Sequence, residues 1–186
     1  MSLITIAYHS GYGHTKKVAE HVAAGANSVE GVKAVLLDVT TVDAAIEGYE
    51  SGWELLNASQ GIIFGTPTYM GGPSGPFKMF ADATSKAWFG GAWKDKIAAG
   101  FTNSMSNAGE KKTTLYYLAT LAAQQEMIWV SVGIKNDGTN NRNGYYLGLG
   151  TQSDNAPAEE TPGKADLDTS EKFGARVAEA VLRWNK

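Results

Sequence analysis

The sequence predicts an α/β protein built on a doubly wound, five-stranded parallel sheet with helices on both faces. Short apolar runs alternate with amphipathic stretches five times along the chain. Most of those runs are continuous rather than alternating, as in strands covered on both sides. The intervening stretches are long enough for helical crossovers, which are right-handed and so generate parallel order.

The first strand is "SLITIAY" (2–8), β-branched and apolar. Helical spacing follows over 14–27, with Val18 and Val22 on one face, Ala19, Ala23 and Ala26 beside them, and Lys16, Lys17 and Glu20 turned away. "VKAVLLDV" (32–39) is a second strand, 41–48 a weak helix, and "GIIFGT" (61–66) a third strand, wholly apolar. Residues 74–88 carry Phe77, Phe80, Ala81, Thr84 and Trp88 at helical spacing. "KIAAGFT" (96–102) is a fourth strand, 109–125 a helix, "MIWVSVG" (127–133) a fifth strand, and 168–184 the closing helix. Residues 134–167 have no periodicity and are rich in Gly, Asn and Asp; a connection of that length in a compact domain is functional or disordered.

The 186 residues fit a single domain, 1–186, and a hydrophobic content of 43% provides a core. A net charge of −3 with no basic patch argues against a nucleic-acid partner. No apolar run is long enough for a membrane span. "MSLITIAYHS" lacks a basic leader and a cleavage site, so it reads as a strand rather than a signal peptide. The chain has no cysteine, which excludes disulfides, thiol chemistry and cysteine metal sites; a cytoplasmic setting is expected.

In sheets of this kind ligands bind outside the carboxyl ends of the strands, near the switch point. Three strand ends carry the right chemistry. "HSGYGHT" (9–15) is a glycine-rich turn into a helix amino terminus, which presents free amides and the positive end of the dipole. It matches neither the P-loop nor the G-x-G-x-x-G fingerprint and aims no lysine at a triphosphate, so a monophosphate ester suits it better. The same residues also make an ordinary capped turn. "GTPTYMGGPSGPFKMF" (65–80) crowds four glycines and three prolines at the end of the third strand. "TNSMSNAG" (102–109) offers hydroxyls, amides and two asparagines after the fourth. Three such ends on one sheet edge describe a site for a ligand with a phosphate and a flat polar edge. No metal site is expected: His14 and His21 share a helix face but no carboxylate cluster completes a ligand set, and His14 reads as helix entry. Trp53, Trp93, Trp129 and Trp184 read as packing residues. Tyr145 and Tyr146 either lid the ligand or pack an irregular loop.

"YHSGYGHT", "GIIFGTPTYMGGPSGPFKMF" and "FTNSMSNAG", in that order and spacing, resemble the flavodoxin-like FMN proteins, and within them the Trp-repressor-binding-protein (WrbA) type of NAD(P)H:quinone oxidoreductase. The likeness spans essentially the whole chain. It implies strand order 2-1-3-4-5 and FMN as cofactor. The family's phosphate loop falls on Ser10, Gly11, Tyr12, Gly13, His14 and Thr15. Its isoalloxazine loop falls on Pro67, Thr68, Tyr69, Met70 and Gly71, and its third flavin loop on Thr102, Asn103, Ser104, Met105, Ser106 and Asn107. Trp88 takes the place of a tryptophan that lines the quinone and nicotinamide pocket across a subunit boundary, with Tyr12 and Gln124 also on the substrate side. NAD(P)H as reductant, a quinone or similar acceptor and a homotetramer follow from the same resemblance.

A flavin performs the hydride chemistry itself, so no catalytic dyad is required of the protein. The sequence departs from the family in several places. Tyr69 stands where a basic residue is usual, Gly72 stands near a usual Asn, and Ala123-Gln124-Gln125 replaces a histidine pair, leaving that role vacant or taken by Gln124. The loop 102–109 has fewer glycines than the family pattern, and 151–167 is longer and more polar. A flavodoxin-type electron carrier without its own substrate reaction and a flavin-free binding protein of the same fold remain the alternatives.

Overall fold

The computed structural model describes residues 1–186. Four parallel strands, β1 (Ser2–Tyr8), β2 (Val32–Asp38), β3 (Gly61–Tyr69) and β5 (Ile97–Ser104), lie in the order β2-β1-β3-β5. The fifth place is shared by two short strands. β6 (Ile128–Trp129) pairs with the start of β5, and β7 (Leu149–Gln152) pairs with its end. The two-residue β4 (Gly72–Pro73) folds back antiparallel on the end of β3. This is the expected 2-1-3-4-5 sheet with its last strand interrupted.

Alternate residues of the strands face opposite layers. Ile4, Ile6, Ile63, Ala99 and Phe101 pack under α1 (His14–Asn27) and α6 (Lys164–Trp184). Ala7, Ile62, Phe64 and Ala98 pack under α2 (Gly52–Ala58), α3 (Gly75–Ala83) and α5 (Lys111–Gln124), with α4 (Ser85–Phe89) following α3. The helices α1 and α6 touch backbone to backbone. A Cβ on Gly25 would overlap the carbonyl of Glu171, and one on Gly174 would overlap that of Val22.

Several elements differ from the sequence expectation. The weak helix at 41–48 is absent: a 3₁₀ turn at Val39–Thr41 leads into irregular chain, and the helix forms later, at Gly52–Ala58. Ser51 starts it, its hydroxyl accepting from Glu54 N, while the Glu54 carboxylate accepts from Glu50 N. That S-x-x-E box was legible but sat beyond the apolar pattern that drew attention. The helix expected over 74–88 breaks at Thr84. Its hydroxyl turns back to Ala81 O (2.6 Å), and the buried Gln125 amide takes Thr84 O (3.1 Å) and Oγ1 (2.8 Å). The fifth strand at 127–133 keeps two residues, because the chain leaves the sheet after Trp129, whose indole donates to Leu147 O (2.8 Å). The irregular 134–167 stretch contains β7 and the first turn of α6. No helix is long and apolar enough to cross a membrane.

Candidate cofactor site at the carboxyl ends of the strands

The carboxyl ends of β1, β3, β5 and β7 surround a cavity of about 550 Å³. From the first loop it is lined by Tyr12, His14 and Thr15, from β3 by Pro67, Thr68 and Tyr69, and from β5 by Asn103, Ser104 and Met105. Its remaining wall is the strap 153–159, which follows β7.

Each loop is shaped by its own chemistry. Gly13 caps α1 in the left-handed region (φ 87°), and Ser10 Oγ accepts from Lys16 N (3.1 Å) in the first turn. Ser10 therefore shapes the loop rather than facing the cavity. Tyr69 leans over the same loop. Its hydroxyl would lie 2.5 Å from a Cβ on Gly11, and its ring meets Tyr12 edge-on at 6.2 Å. Burial and the neighbouring Tyr12 push the Tyr69 phenol up from its usual value. Met70 (φ 47°) and Gly71 (φ 85°) form the two-residue tip between β3 and β4, as a type I′ hairpin turn requires. Both stand beyond the cavity lining, and Met70 is fully exposed.

The threonines around Pro67 are structural. Thr66 Oγ1 accepts from Ser74 N (3.1 Å), which starts α3. Ser74 Oγ also meets His9 Nδ1 (2.8 Å), and burial lowers the His9 pKa against the opposing pull of Asp38. Thr68 Oγ1 bonds to Thr102 Oγ1 (2.8 Å) and Thr114 Oγ1 (2.7 Å), locking β3, β5 and α5 together. Thr102 is thereby turned inward. Asn103 lies between the hydroxyls of Thr151 (2.9 Å) and Ser153 (3.0 Å), which ties β5 to β7. Ser106 and Asn107 are exposed and stand outside the lining.

The strap is the part that sequence reasoning missed. It closes on itself through Thr161 Oγ1 to Ser153 O (2.7 Å). The amino end of α1 then fastens it, through His14 Nε2 with Ala156 O (2.8 Å) and Lys17 Nζ donating to Ala158 O (3.0 Å) and Glu159 O (3.1 Å). Arg142 is committed to the buried Asp166 (Nε 2.8 Å, Nη2 2.9 Å). Asp166 also accepts from Gln152 N (2.9 Å), so the pair fixes β7 on α6.

Two expected substrate residues are not brought to the cavity. Gln124 is exposed at the carboxyl end of α5, which meets the start of β5 through Asp95 N and Glu126 O (2.9 Å), at the opposite edge of the sheet. α5 runs antiparallel to the strands, and that carries its last turn away from the site. Trp88 is 41% exposed on α4 and packs on Phe89 (4.8 Å), outside the cavity of its own chain.

A larger hollow of about 840 Å³ lies between Trp53, Phe80 and α4. It is mainly apolar, and its carboxylate Asp43 already accepts from the Trp53 indole (2.8 Å). The convergent hydroxyls and amides are at the strand ends, which makes the smaller cavity the candidate site.

The model of the NADPH-dependent FMN reductase family matches residues 3–137. The chain belongs to this family. Among relatives, Flavodoxin FldP of Pseudomonas aeruginosa (strain UCBPP-PA14) is 42% identical, over 96% of this chain and 96% of that protein. An NAD(P)H dehydrogenase (quinone) of Geotalea uraniireducens (strain Rf4) is 29% identical, over 97% of this chain and 98% of that one. The crystal structure of a flavodoxin, a WrbA-like protein from Agrobacterium tumefaciens, is 43% identical with a TM-score of 0.74, covering 98% of this chain and 99% of its own. The fold is thus flavodoxin-like, as the resemblance implied.

The donor set fits FMN. The lining offers hydroxyls, asparagine amides and aromatic rings, holds no Lys or Arg, and carries its two carboxylates, Asp154 and Glu159, on the strap; this suits one terminal phosphate at the α1 amino end and a flat ring rather than a polyphosphate.

Proposed function

We propose that this protein binds FMN in the strand-end cavity and transfers hydride equivalents from NAD(P)H to a quinone-type acceptor. The observation that carries the reading is the convergence of three loops and the strap on one cavity of about 550 Å³, lined by hydroxyls, asparagine amides and aromatic rings, with the carboxylates Asp154 and Glu159 on the strap side. Family membership supports the flavin and the reductant; the quinone rests on the 29% identical relative and the sequence resemblance.

Bound FMN would supply the two-electron chemistry. The amides of 12–15 would hold its phosphate, with the α1 dipole favouring the anion, while Gly11 is engaged by the Tyr69 hydroxyl. Pro67, Thr68 and Tyr69 would run along the ring, with Met70 and Gly71 capping its outer end. Asn103, Ser104 and Met105 would carry its polar edge, while Thr102 holds that loop from within and Ser106 and Asn107 extend it outside the lining. His14 and Lys17 hold the strap across the phosphate end, which limits water there. Tyr12, 78% exposed, would flank the acceptor.

Trp88 and Gln124 would serve a cavity only in another copy of the chain, which fits a homotetramer. Light scattering of the purified protein tests the assembly, with a monomer as the contrary result. The absence of cysteine is compatible with a cytoplasmic setting.

A second reading, a flavodoxin-type electron carrier, is favoured by the 42% identical relative named flavodoxin and by the distance of Gln124 and Trp88 from the cavity. A steady-state assay with NADPH or NADH and a benzoquinone separates the two. Turnover supports the enzyme; a flavin-loaded protein without turnover supports the carrier.

A further inference from the structure

The first turn of α5 holds a lysine where helix electrostatics disfavour a cation. Lys111 is 0% exposed, and its ammonium donates to Ser104 Oγ (3.1 Å) and Ser106 O (2.9 Å) and faces the Tyr145 ring at 5.6 Å. No carboxylate bonds to it. Asp166 is taken by Arg142, and Asp154 by the Gln152 amide. Burying a lone ammonium is costly, and an apolar side chain would fill the space without that cost. Of its two acceptors, Ser104 ends β5 and Ser106 belongs to the loop after it. Tyr145 Oη braces the same loop by donating to Ala108 O (2.8 Å).

We propose that Lys111 is a positioning residue that holds the loop after β5 from behind and fixes a positive charge there, so that the site prefers reduced over oxidised FMN. This rests on the FMN reading above. Hydride from a dihydronicotinamide brings two electrons and one proton to the ring system, leaves one added negative charge on it, and releases the oxidised nicotinamide. A buried cation behind the loop stabilises that added charge far better than one in water.

Burial lowers Lys111 to about 8. The groups that face it are Tyr145 and Arg142 from the segment between β6 and β7, Asp154 from the strap and Asp166 from α6, with Glu110 and Lys112 beside it on its own helix. Above about pH 8 the oxidised protein has lost the Lys111 proton, and the reduced protein takes it back. Reduction then consumes two protons per two electrons instead of one.

The test is the two-electron midpoint potential of bound FMN against pH, with oxidised-FMN affinity measured by fluorescence quenching. Wild type should show the potential falling more steeply above about pH 8. Lys111→Gln keeps a donor for Ser106 O and removes the charge. It should bind oxidised FMN within about threefold of wild type. It should also lose about tenfold of the preference for reduced FMN, a fall of about 30 mV, and show no steepening. Lys111→Met should lose the same preference. A uniform wild-type slope overturns the proposal without any variant being needed. Unchanged potential and slope in Lys111→Gln, or a loss of FMN affinity alone, also overturns it. A wild type that fails to quench FMN fluorescence overturns the cofactor reading itself, and the role of Lys111 with it.

Discussion

The hydroxyl of Tyr69 rests against Gly11, 2.5 Å from where a Cβ on that glycine would stand, so the first loop and the end of β3 share one packed contact at the mouth of the cavity. The atom behind the hydroxyl, Cζ, would be 3.4 Å from the same Cβ, which is ordinary contact. A single oxygen thus decides whether Gly11 can be replaced.

Gly11→Ala should therefore displace Tyr69 and weaken FMN binding by about tenfold, since overpacking of this kind costs about 1–3 kcal/mol. Tyr69→Phe in the Gly11→Ala background should restore most of the loss, while Tyr69→Phe alone stays close to wild type. Fluorescence titration of the four proteins gives the cycle; additive effects would break the link between the two residues.

Asp166→Asn should loosen β7 and the strap together. The buried carboxylate serves Arg142 and Gln152 N, and removing its charge leaves the guanidinium without a counterion. A stability loss of about 3 kcal/mol is expected in urea unfolding, discounted slightly for the partial exposure of Arg142. FMN affinity should fall with it.

His9 supplies a pH effect whose sign is fixed by burial. Its folded pKa is lowered, chiefly by desolvation and against the pull of Asp38, so the unfolded chain binds the proton more readily. The folded state loses stability as pH drops through the unfolded value, about 6.5. The effect is modest because the ring is only part-buried. Melting temperatures between about pH 5 and 8 should show it, and His9→Gln should flatten the profile.

Gly174→Val tests the helix contact that orients α1. The new side chain would overlap the Val22 carbonyl, and α1 and α6 would have to separate. A loss of about 3 kcal/mol or more is expected in denaturant unfolding. An unchanged midpoint would mean that the two helices do not cross there.

The sequence made the sheet legible because its strands are buried on both faces. Ile62, Ile63 and Phe64 form an unbroken apolar run that leaves little other choice. The loops at 9–15 and 102–109 were legible as candidates because glycine and hydroxyls crowd the ends of adjacent strands, and both contribute to the cavity lining. The strap was not: Asn155 to Glu159 carry neither periodicity nor a motif, and their place follows from carbonyls that His14 and Lys17 bind. Lys111 looked like one more polar residue at a helix start, since sequence cannot tell that a lysine is buried. Gln124 stands outside the cavity lining of its own chain, because α5 runs antiparallel to the strands and ends at the opposite edge, a direction that a matched position does not reveal.

The most direct measurement is the visible spectrum of the FMN-reconstituted, gel-filtered protein before and after anaerobic addition of NADPH. Retained flavin absorbance that bleaches on addition is the expected outcome. Flavin lost on the column, or absorbance that neither NADPH nor NADH changes although dithionite bleaches it, would contradict a cavity that accepts hydride.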